Sequence, residues 1–166
     1  MKPIYLEMNY FGPHENSVVD FRLLDESPIF LISGDTGAGK STIFDAMTYA
    51  LFGTTTGDRD AMRSQFATAD DRTSVTFYFE QGNLLYRIER SPEQKLSKKR
   101  GSGSTLQKST AKLAIVDRVK GIEKNNIAIN PKNVGEEITR LLHLNAEQFK
   151  KIILLPQNDF SRFLKS

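Results

Sequence analysis

The chain has 166 residues, 39 % of them hydrophobic with 11 Phe, which suits one soluble globular domain with a single core. Its 23 basic against 20 acidic residues are too evenly balanced to imply a nucleic-acid partner without a local cluster. The absence of cysteine excludes disulfides and thiolate metal sites and fits a reducing compartment.

The opening "MKPIYLEMNYF" is interrupted by Glu7 and Asn9 and lacks the apolar heart of a signal peptide. No run reaches the roughly 18 apolar residues of a membrane span, so a cytoplasmic protein without a membrane partner is expected. "IYLEMNYF" (4–11) and "VVDFRLL" (18–24) are rich in β-branched and aromatic residues and flank "GPHEN", predicting strand, turn, strand. "IFLIS" (29–33) is apolar throughout, as befits a central strand buried on both faces. From Lys40 the spacing turns helical, with Ile43, Met47, Ala50 and Leu51 in phase, until Gly53 supplies a C-terminal stop.

Asp70 and Asp71 read as a solvated turn. Beyond them "SVTFYFEQGNLLYRIERS" (74–91) alternates around "EQGN" as a β-hairpin. The segment 95–112, "KLSKKRGSGSTLQKSTAK", carries six basic residues and no acidic one, and is the only approach to low complexity. "LAIVDRV" (113–119) reads as a strand, "NVGEEITRLLHL" (133–144) as a helix with Ile138, Leu141 and Leu142 on one side, and "NAEQF" as a helix start capped by Asn145. The closing "KKIILLPQNDFSRFLKS" predicts an apolar strand, a Pro-Gln break and a helix striped by Phe160, Phe163 and Leu164. There is no internal repeat.

"GDTGAGKS" (34–41) fits G-x-x-x-x-G-K-[ST], placed between a predicted strand and a predicted helix. Glycines let the backbone wrap a phosphate with no Cβ in the way, so that successive N–H groups converge as an anion nest. The following helix adds its unpaired first-turn N–H groups and the positive end of its dipole. In such a loop Lys40 reaches the β- and γ-phosphates and the Ser41 hydroxyl ligates Mg²⁺. A nucleoside triphosphate is therefore the expected ligand, and ATP the better choice because no N-K-x-D guanine-reading motif occurs.

Hydrolysis also needs an acidic residue at a strand end to hold Mg²⁺. Asp117, ending "LAIVD", is the one candidate, but Arg118 follows where a catalytic Glu would suit; the other reading puts the acidic half of the site outside these residues. Gln157, directly after an apolar strand, is either a solvated turn residue or a functional group. The basic segment around Lys98, Lys99 and Arg100 either neutralises DNA phosphates without reading sequence or is a solvated hairpin tip. His14 and His143 are far apart, and no metal pattern surrounds them.

Taken together, "MKPIYLEMNYFGPHENSVVDF", "LISGDTGAGKSTIFDAMTYALFG", "YRIERSPEQKLSKKRGSGST" and "EQFKKIILLPQNDFSRFLK" resemble, in order and over almost the whole chain, the start of the SbcC family. These are the ATPase subunits of bacterial SbcCD nucleases, within the SMC-like and ABC-type ATPases. The resemblance implies an α/β P-loop NTPase fold: the N-terminal lobe of an ABC-type ATPase head, with a mixed central sheet, an antiparallel β-layer and the start of a coiled-coil helix. It implies a lobe over 1–158 and a coiled-coil root over 159–166. Gly34, Asp35, Thr36, Gly37, Ala38, Gly39, Lys40, Ser41 and Thr42 would form the Walker A loop, and Gln157 the Q-loop glutamine that contacts Mg²⁺ and the attacking water.

Lys40 and Gln157 are thus the implied catalytic residues, Ser41 and Gln157 the implied metal contacts, and ATP and Mg²⁺ the implied cofactors. The implied partners are the chain's own C-terminal lobe, a second head in a dimer, an SbcD-like nuclease subunit, and DNA bound without sequence specificity in double-strand-break repair. Two departures stand out: Gly12 where archaeal and eukaryotic relatives often carry Arg, and Asn158 where many relatives have Gly. No "SGG" signature is present, so the fragment alone is expected to be inactive or very weak. The competing expectations are a self-contained P-loop NTPase or kinase using Asp117, and an SMC-type DNA-tethering ATPase with no nuclease partner.

Overall fold

The computed structural model describes residues 1–24, 40–54 and 63–149. Strand β1, Lys2–Phe11, turns Leu6 and Met8 inward with no exposed surface. The alternation then slips by one residue. Tyr10 takes φ 48, so Phe11 rather than Tyr10 enters the core, and the Tyr10 carbonyl accepts from Ser64 N at 2.8 Å and Thr73 Oγ1 at 3.0 Å.

Strand β2, His14–Asp20, pairs antiparallel with β1, Phe11 opposite His14. The predicted turn thus shrinks to Gly12 and Pro13, with Gly12 at φ 56. The second strand also ends sooner than its β-branched composition predicts. The Asp20 carboxylate accepts from Arg22 N at 3.1 Å, Nε at 2.8 Å and Nη2 at 2.7 Å, and Phe21–Leu24 wind into a 3₁₀ turn.

Strands β3, Ser74–Gln81, and β4, Leu84–Ser91, form the predicted hairpin around Gly82 and Asn83. Val75, Phe77 and Phe79 face inward opposite Arg90, Ile88 and Tyr86, and the Phe79 and Tyr86 rings stack at 5.3 Å. Each fully buried side chain of this kind contributes about 1.5–3 kcal/mol. Next come β5, Gln94–Ser97, and β6, Ser104–Gln107, a separate two-stranded hairpin; β7, Thr110–Val116; and β8, Glu123–Ile129. The six-stranded sheet runs β2-β1-β3-β4-β7-β8, antiparallel at every pairing.

Helices α1, Lys40–Phe52, and α2, Pro131–Leu142, pack on one face of this sheet, α1 over β1, β3 and β4, α2 over β7 and β8. Phe44, Met47 and Leu51 of α1 and Val134, Ile138 and Leu142 of α2 share one core with the inward sheet residues. The opposite face is polar, as one side of an antiparallel sheet can be. There Tyr5 packs edge-on against Tyr78, Arg87 lies over the Tyr78 ring and pairs with Glu89 and Glu123, and Lys112 pairs with Glu123.

The antiparallel β-layer and both helices agree with the expected α/β class. The predicted strand "IFLIS", any parallel part of the sheet and the helix from Asp159 lie outside the described residues.

Candidate functional site

Of the expected phosphate grip, Gly34, Asp35, Thr36, Gly37, Ala38 and Gly39 lie outside the described residues, as does Gln157. Lys40, Ser41 and Thr42 are the first three residues of α1, so the helix opens at the lysine of the glycine-rich motif. Its first turn holds no acidic residue. Up to four N–H groups at such an end have no acceptor within the helix, and none of its own side chains in that turn adds a negative charge to compete for an anion.

The other end of α1 is fixed from outside. No basic residue lies in its last turn, and β4 supplies one instead: Arg90 donates from Nε to the Ala50 carbonyl at 3.0 Å and from Nη2 to the Leu51 carbonyl at 3.2 Å. Gly53 turns the chain at φ 75 and donates its N–H to the Tyr49 carbonyl at 2.7 Å. A Cβ there would meet Arg90 Nη1 at 2.8 Å, so glycine serves both the turn and the close approach of the guanidinium.

Arg90 is 4 % exposed, and burial pulls its pKa down to about 10, still high enough to keep it charged at neutral pH. The cation at the negative pole and the two charge-assisted bonds, each worth about 1.5–3 kcal/mol, offset that desolvation. Arg90 was not among the residues singled out from the sequence. Its signal was parity: Tyr86, Ile88 and Arg90 alternate on the inward side of β4.

Asp117 goes against the alternative of a self-contained site. It directly follows β7, an interior strand of the antiparallel sheet, and its Oδ1 accepts from Val119 N at 2.9 Å and Lys120 N at 3.0 Å. Those backbone N–H groups hold its carboxyl below the usual range. The carboxylate closes the β7–β8 turn, and β7 puts it beside the start of β4, at the end of the strands away from Arg90 and the α1 C-terminus. An aspartate spent on its own turn does not make a self-contained Walker B site.

Most of the basic segment lies in the β5–β6 hairpin. Gln94 roots it: its Oε1 accepts from Thr73 N and Arg63 Nη1, both at 2.8 Å, and its Nε2 donates to the Thr73 carbonyl at 3.0 Å. Ser97 N reaches the Ala69 carbonyl at 2.7 Å, and Lys98 N reaches the Gly103 carbonyl at 3.0 Å across the tip. Lys98, Lys99 and Arg100 are exposed there, with Lys95 and Lys108 along the strands. Lys112, counted in the same cluster from sequence, belongs to β7 and is paired with Glu123.

The flanking turn forms as expected, Asp71 Oδ2 accepting from Thr68 N and Oγ1 at 2.9 Å each. Asn145 does too: its Oδ1 accepts from Gln148 N while its own N–H donates to Gln148 Oε1, both at 2.9 Å.

A helix opening at Lys40 and packed on an antiparallel sheet places the chain in the α/β class. The profile of the AAA domain matches residues 5–166, and the chain belongs to that family. More particularly, it is similar to curated proteins named as the SbcC component of the nuclease SbcCD. It is 98 % identical over 168 residues to that of Lactococcus lactis subsp. lactis, 42 % over 171 residues to that of Staphylococcus aureus and 39 % over 168 residues to that of Vibrio cholerae. These alignments cover 99–100 % of the chain and 16 % of each relative. The resemblance to the SbcC family read from the motifs is borne out.

Proposed function

We propose that this chain is the ATP-binding N-terminal lobe of the ATPase subunit of a DNA-processing nuclease complex. The observation that carries the reading is the start of α1 at Lys40, the lysine of the glycine-rich motif, in a chain matched to the AAA domain almost end to end. The donor set suits a Mg²⁺-bound triphosphate: first-turn amides, an ammonium and two hydroxyls, with no acidic side chain in the turn. The buried Arg90 fixes the far end of the same helix.

Gly34 to Thr42 would wrap the phosphates, Lys40 would neutralise the β- and γ-phosphates, and the Ser41 hydroxyl and Gln157 would hold Mg²⁺, with Gln157 also orienting the attacking water. Mg²⁺, when bound, supplies charge neutralisation on the phosphate oxygens. Residues 1–158 form the lobe and 159–166 the root of a coiled coil. With Asp117 engaged in a turn, the Walker B acid and signature motif come from a C-terminal lobe and a second head, so the chain alone turns over little or no ATP. ATP-driven closure of two heads is then a population shift, since only the closed pair completes the contact. Through it an SbcD-like nuclease subunit gains or loses access to DNA held without sequence preference, in the cytoplasm. Among the described residues no helix is long and apolar enough to cross a membrane.

The test is ATP-dependent pairing and hydrolysis in the complete subunit, with and without Gln157→Ala. The substitution is expected to suppress both; unchanged pairing and turnover would remove Gln157 from the mechanism.

A further inference from the structure

Beyond the C-terminal end of α1 lies a cavity of about 640 Å³, between the helix, the end of β4 and the β5–β6 hairpin. Its walls hold a hydroxyl that the fold leaves unmatched and a buried guanidinium. The Tyr49 side chain is 2 % exposed, its ring stacks on Phe11 at 5.8 Å, and its hydroxyl has no hydrogen-bond partner among the described residues. Arg90 uses Nε and Nη2 on the Ala50 and Leu51 carbonyls, and Nη1 takes no part in that clamp. A buried hydroxyl in such a state calls for a partner.

The charge of the lining gives the chemistry. Arg90 and Lys95 are cationic, Ser109 adds a hydroxyl, and Glu93, exposed, is the single carboxylate among the described lining residues. Arg63 also borders the cavity but is engaged with Gln94 Oε1, Thr73 Oγ1 and the Asp71 and Thr68 carbonyls. The space is far larger than the roughly 30 Å³ of a water molecule. Guanidinium, phenol and ammonium together make a donor set without an acceptor need of its own, suited to an oxyanion with several oxygens.

We propose that this cavity binds a phosphate-class oxyanion, donated to by Arg90 Nη1 and the Tyr49 hydroxyl and neutralised by Lys95. It is a second anion site, at the opposite end of α1 from the glycine-rich motif. The anion is either free phosphate or a phosphate group of a larger molecule reaching past the basic hairpin.

The experiment is calorimetric titration of inorganic phosphate into the chain carrying Lys40→Ala, which disables the glycine-rich site. Tyr49→Phe keeps the ring and removes one donor; Lys95→Ala, on the exposed hairpin, leaves the fold intact should the first variant misfold. Saturable binding is expected in the Lys40→Ala background, weakened about tenfold by Tyr49→Phe and severalfold by Lys95→Ala. Binding lost with Lys40→Ala alone, or indifferent to both cavity variants, overturns the proposal. A parallel titration of 5′-phosphorylated and unphosphorylated oligonucleotides identifies the source. Tighter binding of the phosphorylated strand, abolished by Lys95→Ala, supports a strand-end phosphate; equal binding with the inorganic phosphate result retained supports the free ion.

Discussion

Gly53 and Arg90 illustrate how single residues hold a helix in place. A side chain at position 53 would have to adopt φ 75 and displace Arg90 Nη1 from 2.8 Å. Gly53→Ala is therefore expected to lower stability by about 1–2 kcal/mol from the backbone conformation alone, more if the guanidinium shifts. Urea unfolding measures this; an unchanged midpoint would mean that the turn tolerates a Cβ.

Glu123 gives a pH-dependent counterpart. The Lys112 ammonium, joined by Arg87, holds its carboxyl below the ordinary value of 4.5, against the opposing effect of burial. A lowered folded pKa means that the stabilisation is complete above pH 4.5 and is lost as pH falls through the folded value. Glu123→Gln should cost no more than about 1 kcal/mol at neutral pH, since both partners of the Lys112 pair are about a third exposed. It should also flatten the fall in thermal midpoint below pH 4.5, and an acid limb identical to the parent's would contradict the linkage.

Elements were legible where one local cause decides them. Gly53 ends α1, Gly82 and Asn83 separate β3 from β4, and Asn145 with Gln148 opens a helical turn, because each is a short-range device written in adjacent residues. The end of β2 was not legible, because "VVDFRLL" has strand composition throughout and only the Asp20–Arg22 geometry stops it. Asp117 was ambiguous for a related reason: a hydrophobic run ending in Asp describes a Walker B strand and a strand closed by an Asp-capped turn equally well, and the hydrogen bonds show the second. Arg90 was overlooked because its value lies in carbonyls of α1 about forty residues away.

The β5–β6 hairpin allows a functional prediction at this scale. Its root is tied down by Gln94 and its tip charges are exposed, an arrangement suited to presenting cations to a phosphate backbone. Replacing Lys98, Lys99 and Arg100 by Ala should weaken DNA binding uniformly across sequences and reduce the salt slope by about 2–3. The same affinity and slope would leave the hairpin a solvated tip.

At the scale of the molecule, the antiparallel sheet is a platform: one face polar, the other a shared core with α1 and α2. α1 is buried from Phe44 to Leu51 apart from Asp45, and clamped at its C-terminal end, which fixes the helix against the sheet. That is what a phosphate grip requires, because amides aimed in advance need not be ordered by the ligand. The glycine-rich motif and the closing "LLPQNDF" carried the family in the sequence, while the platform's register and the Arg90 clamp needed the fold.

The most direct measurement of that grip is equilibrium binding of Mg·ATP to the folded chain, beside Lys40→Ala. Saturable one-to-one binding is predicted, weakened about tenfold or more by the substitution. A folded chain that leaves Mg·ATP unbound, or binds it equally well without the Lys40 ammonium, would contradict the assignment of this helix end to a nucleotide.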